Sequence, residues 1–177
     1  MPDEITIKTI SNTIRDIVDF PKPGILFKDI TPVLLNPDTF KLAVDALAEP
    51  CLAERPDIIL GIDARGFIFG AAIAYHLGIG FVPIRKKGKL PYKTIEQSYE
   101  LEYGENIVAI HEDAIKPGNK VFIVDDLLAT GGTAHAAAIL VEKLGGKITC
   151  ISFLVELGFL EGRKKLGDLP IHSVVKY

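Results

Sequence analysis

"VFIVDDLLATGGTA", Val121 to Ala134, runs from four apolar residues through two adjacent acids into a loop of small residues. An uninterrupted run of Val, Phe and Ile is the pattern of a strand buried on both faces, as in a parallel sheet. Asp125 and Asp126 then emerge at the carboxyl end of that strand, where α/β sheets hold their ligands. "GTAHAAAILVEKLGG" follows, a helix-length segment rich in Ala and Leu and closed by glycine. The stretch therefore predicts strand, ligand loop and helix in sequence.

The same alternation recurs to either side. "DIILGI", "GFVPI", "KVFIVDD" and "ITCISFLVEL" are compact apolar runs, and "GFIFGAAIAYHLG" is a second helix-length segment between them. They predict the α/β class, with a twisted, mainly parallel sheet and helices on both faces. Upstream, Ile7, Ile10, Ile14 and Val18 recur at helical spacing, which predicts one helix through "EITIKTISNTIRDIVDF" up to "PKPG". A second helix is expected after Asp38 as N-cap, carrying Phe40, Leu42, Ala43, Ala46 and Leu47, with Pro50 kinking or ending it. Between Arg85 and Ile115 a cationic run precedes "YELEYGENIVAIHEDAI", which reads as two short strands around Gly104 and Glu105, a hairpin flap. With 177 residues, no internal repeat and no Pro/Ser-rich linker, one domain over 1–177 is expected, with about 85–115 forming the cationic loop and flap.

Twenty Lys and Arg against 23 Asp and Glu leave a formal net charge of −3, so nothing draws the whole molecule to nucleic acid or an anionic membrane. No apolar run approaches the roughly 20 residues that span a bilayer, and no charged-then-apolar leader is present. Cys51 and Cys150 match no metal or redox spacing. A soluble protein of the reducing cytoplasm is the expectation. His76, His111 and His172 form no ligand cluster, so neither a structural zinc nor a histidine-based nucleophile is expected.

In "ATGGT", Ala129 to Thr133, free N–H groups at a helix start favour a phosphate, and Thr130 and Thr133 add hydroxyl donors. Gly131 and Gly132 let that backbone approach the anion closely. Read alone, the acids are turn formers and the glycines merely shape the loop. Together with the cradle they require a ligand that wants carboxylates beside its phosphate, and a sugar's vicinal hydroxyls or a hydrated Mg²⁺ both fit. A second strand-end loop, "DARGF", offers Arg65 beside backbone donors at a helix start. A third, "RKKGKLP", offers Arg85, Lys86, Lys87 and Lys89. One phosphate cradle, two acids and two cationic patches on one rim suit a ribose bearing phosphate at one end and pyrophosphate at the other. Neither G-x-x-x-x-G-K-[ST] nor a helix-opening G-x-G-x-x-G occurs, which disfavours an ATPase or a dehydrogenase.

"VFIVDDLLATGGTA" resembles the phosphoribosyl pyrophosphate signature of the type I phosphoribosyltransferase family. "FPKPGILFKDITPVL", "DARGFIFG", "IRKKGKLP", "SYELEYG" and "VELGFLEGRKKL" resemble, in the same order from about Phe20 to Tyr177, the adenine branch of that family. The resemblance implies the type I fold with a small N-terminal hood within 1–36 and a β-hairpin flap. It implies Mg²⁺-dependent transfer of the 5-phosphoribosyl group from phosphoribosyl pyrophosphate to adenine, giving AMP and pyrophosphate in purine salvage. A homodimer is implied as well. By motif, Ala129, Thr130, Gly131, Gly132 and Thr133 would hold the 5′-phosphate, while Asp125 and Asp126 would bind the ribose hydroxyls directly or through metal-bound water. Ala64 and Arg65, with Arg85, Lys86 and Lys89, would take the pyrophosphate. Leu26, Phe27 and Lys28 would form the hood over adenine, with Leu157 closing the opposite face. Mg²⁺ would be held mainly by substrate and water, with Asp125 and Asp126 as further ligands. Arg65, Asp125, Asp126 and the flap residue Glu102 would be the catalytic set, with Glu102 moving a proton to or from the base. Tyr99 and Tyr103 would shape the closed flap, and His135 is expected to point away from the phosphate.

Two alternatives stay open at this level. A transferase for an oxopurine would carry the same signature, because adenine's exocyclic donor meets a pocket edge that sequence does not display. A noncatalytic sensor of phosphoribosyl pyrophosphate would also use this fold, although only about twenty residues precede "PKPG". A receiver-type signalling domain carries its adjacent acids on the first strand, whereas here at least two strands come earlier.

Overall fold

The structure, a computed structural model, describes residues 2–100 and 105–177. The chain opens with α1 (Glu4–Thr13), β1 (Arg15–Val18), β2 (Leu26–Asp29), α2 (Thr31–Leu35), α3 (Pro37–Ala48) and α4 (Pro50–Ala53). There follow β3 (Ile58–Ile62), α5 (Arg65–Leu77), β4 (Gly80–Lys86), β5 (Thr94–Glu100) and β6 (Glu105–His111). β7 (Lys120–Leu128), α6 (Gly132–Lys143), β8 (Lys147–Glu156), α7 (Gly162–Leu166) and β9 (Ile171–Lys176) complete it.

Seven strands form one sheet in the order β5-β6-β4-β3-β7-β8-β9. β4, β3, β7, β8 and β9 are mutually parallel, and β6 and β5 join antiparallel beside β4. The expected α/β class is what forms, and its cause is visible in β7. Phe122 and Val124 pack into one core with Leu47 of α3 and Phe69 and Ile73 of α5. Val121 and Ile123 pack into a second core with Ala137, Leu140 and Val141 of α6. Alternate residues of a strand point to opposite faces, so a run that is apolar throughout requires helices on both. Among the described residues no helix is long and apolar enough to cross a membrane.

Three local expectations are corrected, while the expected interruption at Pro50 is present. The first helix ends at Thr13, Ile14 is already extended, and the chain enters β1, which pairs antiparallel with β2 from Arg15↔Asp29 to Val18↔Leu26. Val18, expected on the helix's apolar face, is 72% exposed. Strand pairing with a distant partner outweighs helical periodicity here, which is how tertiary context overrides local propensity. The cap of α3 is Asn36, whose side-chain oxygen accepts from the N–H groups of Asp38 and Thr39, with Pro37 in the first turn. Pro50 opens the separate short helix α4 after Glu49, a position where its missing N–H costs nothing. Finally, β7 runs on to Leu128, so Asp125 and Asp126 lie within the strand, with Asp125 paired to Phe153 of β8.

The β1–β2 pair is fastened by Asp29. Its carboxylate accepts from the Thr31 N–H and hydroxyl and from the Arg15 guanidinium. Those bonds, the Thr31 hydroxyl first, hold its pKa down to about 2. A depressed carboxylate contributes stability that is present above its unfolded pKa of about 4 and is lost as pH falls through the folded value. Between about pH 4 and pH 2 the parent should therefore lose stability that an Asp29→Asn variant never had, on the order of 1 to 2 kcal/mol. Thermal melts of both across that window test this. Parallel acid dependences would refute it.

Candidate active site

The parallel register of β3 with β7 continues to Gly61↔Val124, which brings the residues after β3 beside the acids of β7. A cavity of about 360 Å³ opens there, with Asp63, Ala64 and Arg65 on one wall and Asp125, Asp126, Ala129 and Thr133 on the other. Tyr99 of the hairpin also lines it. Next to it a smaller cavity of about 70 Å³ is framed by Asp125 and the continuous segment from Leu127 to Ala134. Two loops distant in sequence, after β3 and after β7, thus meet at the carboxyl ends of neighbouring parallel strands, with Tyr99 of β5 beside them.

Opposite charges meet directly at the larger cavity. The Arg65 Nε–H donates to Asp126 Oδ2 at 2.5 Å. Asp126 is buried and Arg65 is 44% exposed at its side chain, which leaves the Arg65 Nη hydrogens for an anion. Asp125 keeps partial access and accepts from the Asp126 backbone N–H at 2.9 Å. Desolvation by the surrounding protein, and then the Asp126 charge, push the Asp125 carboxyl well above the usual carboxylate range. Arg85 donates to Asp63 Oδ2 at 3.1 Å and so stands behind the cavity wall rather than on it. The Phe27 ring lies 5.6 Å from the Arg65 guanidinium carbon, which brings the β1–β2 segment to the same rim.

The loop between β7 and α6 is shaped from behind. Gly131 has φ +80°, and a Cβ there would lie 2.5 Å from the Gly162 carbonyl oxygen. A Cβ on Gly162 would in turn collide with the Ala129 carbonyl oxygen. Gly162 begins α7, whose Arg163 Nε–H and Nη2–H donate to the two oxygens of Glu156 at 2.7 and 2.8 Å, Glu156 being buried at the end of β8. This ion pair lowers the Glu156 pKa and holds α7 beside the loop. The sequence alone does not single out Gly162, Asp63 or the Glu156–Arg163 pair; their signals were a small residue and charges inside "VELGFLEGRKKL" and the acid that opens "DARGF".

Of the residues expected in the site, Ala64, Arg65, Asp125, Asp126, Ala129 and Thr133 line the larger cavity, and Thr130, Gly131 and Gly132 line the smaller. Leu157 donates its N–H to the Leu128 carbonyl at 2.9 Å, beside the loop. Leu26 is 47% exposed. The Lys28 side chain turns to Asp16, with Nζ 2.6 Å from its carboxylate. Lys86 and Lys89 are exposed and do not line the cavity, although the Lys89 carbonyl accepts from Arg85 at 3.3 Å. His135 lines neither cavity. Glu102 and Tyr103 lie outside the described residues.

Among the described residues no group of three or more His, Cys, Asp and Glu side chains could hold a metal ion by itself. Two adjacent carboxylates, one already shared with Arg65, fit a hard cation whose remaining oxygen ligands come from phosphate and water.

The model of the phosphoribosyl transferase domain matches residues 34–167. The chain belongs to that family. It is a transferase, and its relatives agree over nearly its whole length. An adenine phosphoribosyltransferase from Desulfitobacterium hafniense (strain Y51) is 57% identical over 164 residues, 93% of this chain and 95% of the relative. The crystal structure of adenine phosphoribosyltransferase from Rhodothermus marinus DSM 4252 has a TM-score of 0.94 at 49% identity, covering 99% of this chain and 100% of that one. The enzyme from Saccharomyces cerevisiae, solved with adenine and an imino-altritol bisphosphate, has a TM-score of 0.92 at 40% identity, covering 97% and 99%. At these TM-scores and coverages the fold of this chain, with its seven-stranded sheet, matches theirs over nearly the whole length.

Proposed function

We propose that the two adjoining cavities hold the phosphoribosyl group and that the β1–β2 segment and Leu157 enclose adenine between them. The reaction is transfer of the 5-phosphoribosyl group from phosphoribosyl pyrophosphate to adenine, giving AMP and pyrophosphate, a step of purine salvage. The observation that carries the residue assignment is the placement of Asp125 and Asp126 between the loop cavity and Arg65.

The N–H groups from Ala129 to Thr133, with the Thr130 and Thr133 hydroxyls, bind the 5′-phosphate at the start of α6. Asp125 and Asp126 accept hydrogen bonds from the ribose hydroxyls. Arg65 and the Ala64 backbone bind the pyrophosphate, Arg85 adds positive charge from behind Asp63, and the exposed Lys86 and Lys89 add theirs at longer range. Asp125 and Asp126, with substrate oxygens and water, would hold Mg²⁺, whose charge would help to neutralise the pyrophosphate. A bond forms between a ring nitrogen of adenine and the anomeric carbon as the bond from that carbon to pyrophosphate oxygen breaks. The carboxylates offset the positive charge of the oxocarbenium-like ribose while it lasts. The proton lost from the base nitrogen passes to Glu102 or to water. Tyr99, which lines the cavity from the hairpin, limits water at the activated carbon. The reading includes a homodimer in the cytoplasm, and buried, unpaired Cys51 and Cys150, pushed up to about 12 and about 11 by burial, suit that reducing setting.

Formation of AMP and pyrophosphate is to be followed with adenine, hypoxanthine, guanine and xanthine offered separately in Mg²⁺. Turnover with adenine alone is expected. Turnover with an oxopurine alone would overturn the base assignment, and binding of phosphoribosyl pyrophosphate without turnover on any base would leave only a sensor.

A further inference from the structure

We propose that Tyr177 is a positioning residue that sets the width of the adenine slot by tying its two walls together. The inference rests on the adenine reading above and adds what fixes the slot. On one side, the Tyr177 N–H donates to the Glu156 carbonyl at 2.9 Å and its own carbonyl accepts from the Gly158 N–H at 2.8 Å. Both flanks of Leu157 are thereby fastened to Tyr177. On the other side, the Lys28 ammonium lies 3.7 Å from the centre of the Tyr177 ring.

Lys28 is no ordinary surface lysine. Its side chain is 9% exposed, and its ammonium meets the Asp16 carboxylate of β1 as well as the ring. A desolvated cation is held more strongly by an aromatic face than an exposed one. Lys28 directly follows Phe27, which contacts Arg65 on the cavity side and Phe20 edge-on at 5.1 Å. The Tyr177 hydroxyl is also 3.3 Å from Ser11 Oγ, so α1 braces the same ring. A rigid slot binds a flat base without first ordering its walls, and loosening it weakens base binding while leaving the phosphoribosyl loops alone.

The test is the steady-state KM for adenine and for phosphoribosyl pyrophosphate in Tyr177→Leu, Tyr177→Phe and Lys28→Met, with Phe27→Ala and Leu157→Ala as controls. Tyr177→Leu and Lys28→Met are each expected to raise the adenine KM roughly tenfold with the other KM within about twofold. Tyr177→Phe keeps the ring and should stay near the parent. A residue that only stabilises the fold would lower the melting temperature without separating the two KM values. Equal shifts in both KM values, an unchanged adenine KM, or a Phe variant as impaired as Leu would overturn the proposal. Should Tyr177→Leu not fold, Lys28→Met decides alone. If the controls leave the adenine KM unchanged, the slot itself is misplaced and the proposal falls with it; if they raise it and the Tyr177 and Lys28 variants do not, only the tie is wrong.

Discussion

Asp125→Asn is expected to yield a folded, heat-resistant chain that has lost on the order of 10²- to 10³-fold in kcat/KM. An Asp125→Asn, Asp126→Asn double variant should lose 10³-fold or more on the same scale. Two effects of one substitution run in opposite directions here. The Asp125 carboxyl is desolvated and sits beside Asp126, so its pKa is raised in the folded state. A carboxyl with a raised pKa favours folding only while protonated; as pH climbs past its unfolded value of about 4, that advantage is lost and the charge becomes a cost. Asparagine keeps an oxygen for the Asp126 N–H and carries no charge. The melting temperature at pH 7 should therefore rise as activity disappears, the trade expected where function requires a destabilised group. A melting temperature that falls together with activity would mean that Asp125 is structural. Full activity in the double variant would remove both acids from the mechanism.

The parts of this molecule that a sequence reader can see are those whose residues break a pattern. Asp125 and Asp126 interrupt a run that is otherwise wholly apolar, and strands buried on both faces have no other use for charge. The central strands were legible for the same reason. β1 was not, because three of its four residues are exposed and it has no apolar rhythm of its own. Ile14 and Val18 happened to extend the spacing of Ile7 and Ile10, so local periodicity pointed to a helix where pairing with β2 makes a strand. Phe27 and Leu157 look like core residues and enter the site only through the family resemblance. Asp63 with Arg85, and Glu156 with Arg163, are ion pairs whose partners only the fold brings together. Sequence displays groups that act singly, and it conceals those whose role is to hold another residue in place.

Gly162→Ala tests that hidden layer, and its expected result is a loss of about 10²-fold in kcat/KM for phosphoribosyl pyrophosphate with every acid and cation of the site intact. The added methyl would land on the Ala129 carbonyl oxygen, 2.9 Å from Leu128 Cδ1 and 3.1 Å from the Gly131 nitrogen. Two of these are backbone atoms of the Ala129–Thr133 loop, so relief cannot come from rotating a side chain. The opposing partner is no freer, since α7 is anchored by Arg163 on buried Glu156. The Ala129–Thr133 loop must then shift, and a displacement of about 1 Å in a positioning group is enough for a loss of that size. Titration with ribose 5-phosphate should show the weakening directly, because in the proposed site that ligand is held by the loop and not by the base slot. Gly80→Ala is the matched control, as a Cβ there meets nothing within 4 Å, and it should leave the activity at the parental level. If Gly162→Ala binds ribose 5-phosphate as the parent does, the loop holds its shape without α7, and the contact between the two glycines is packing alone.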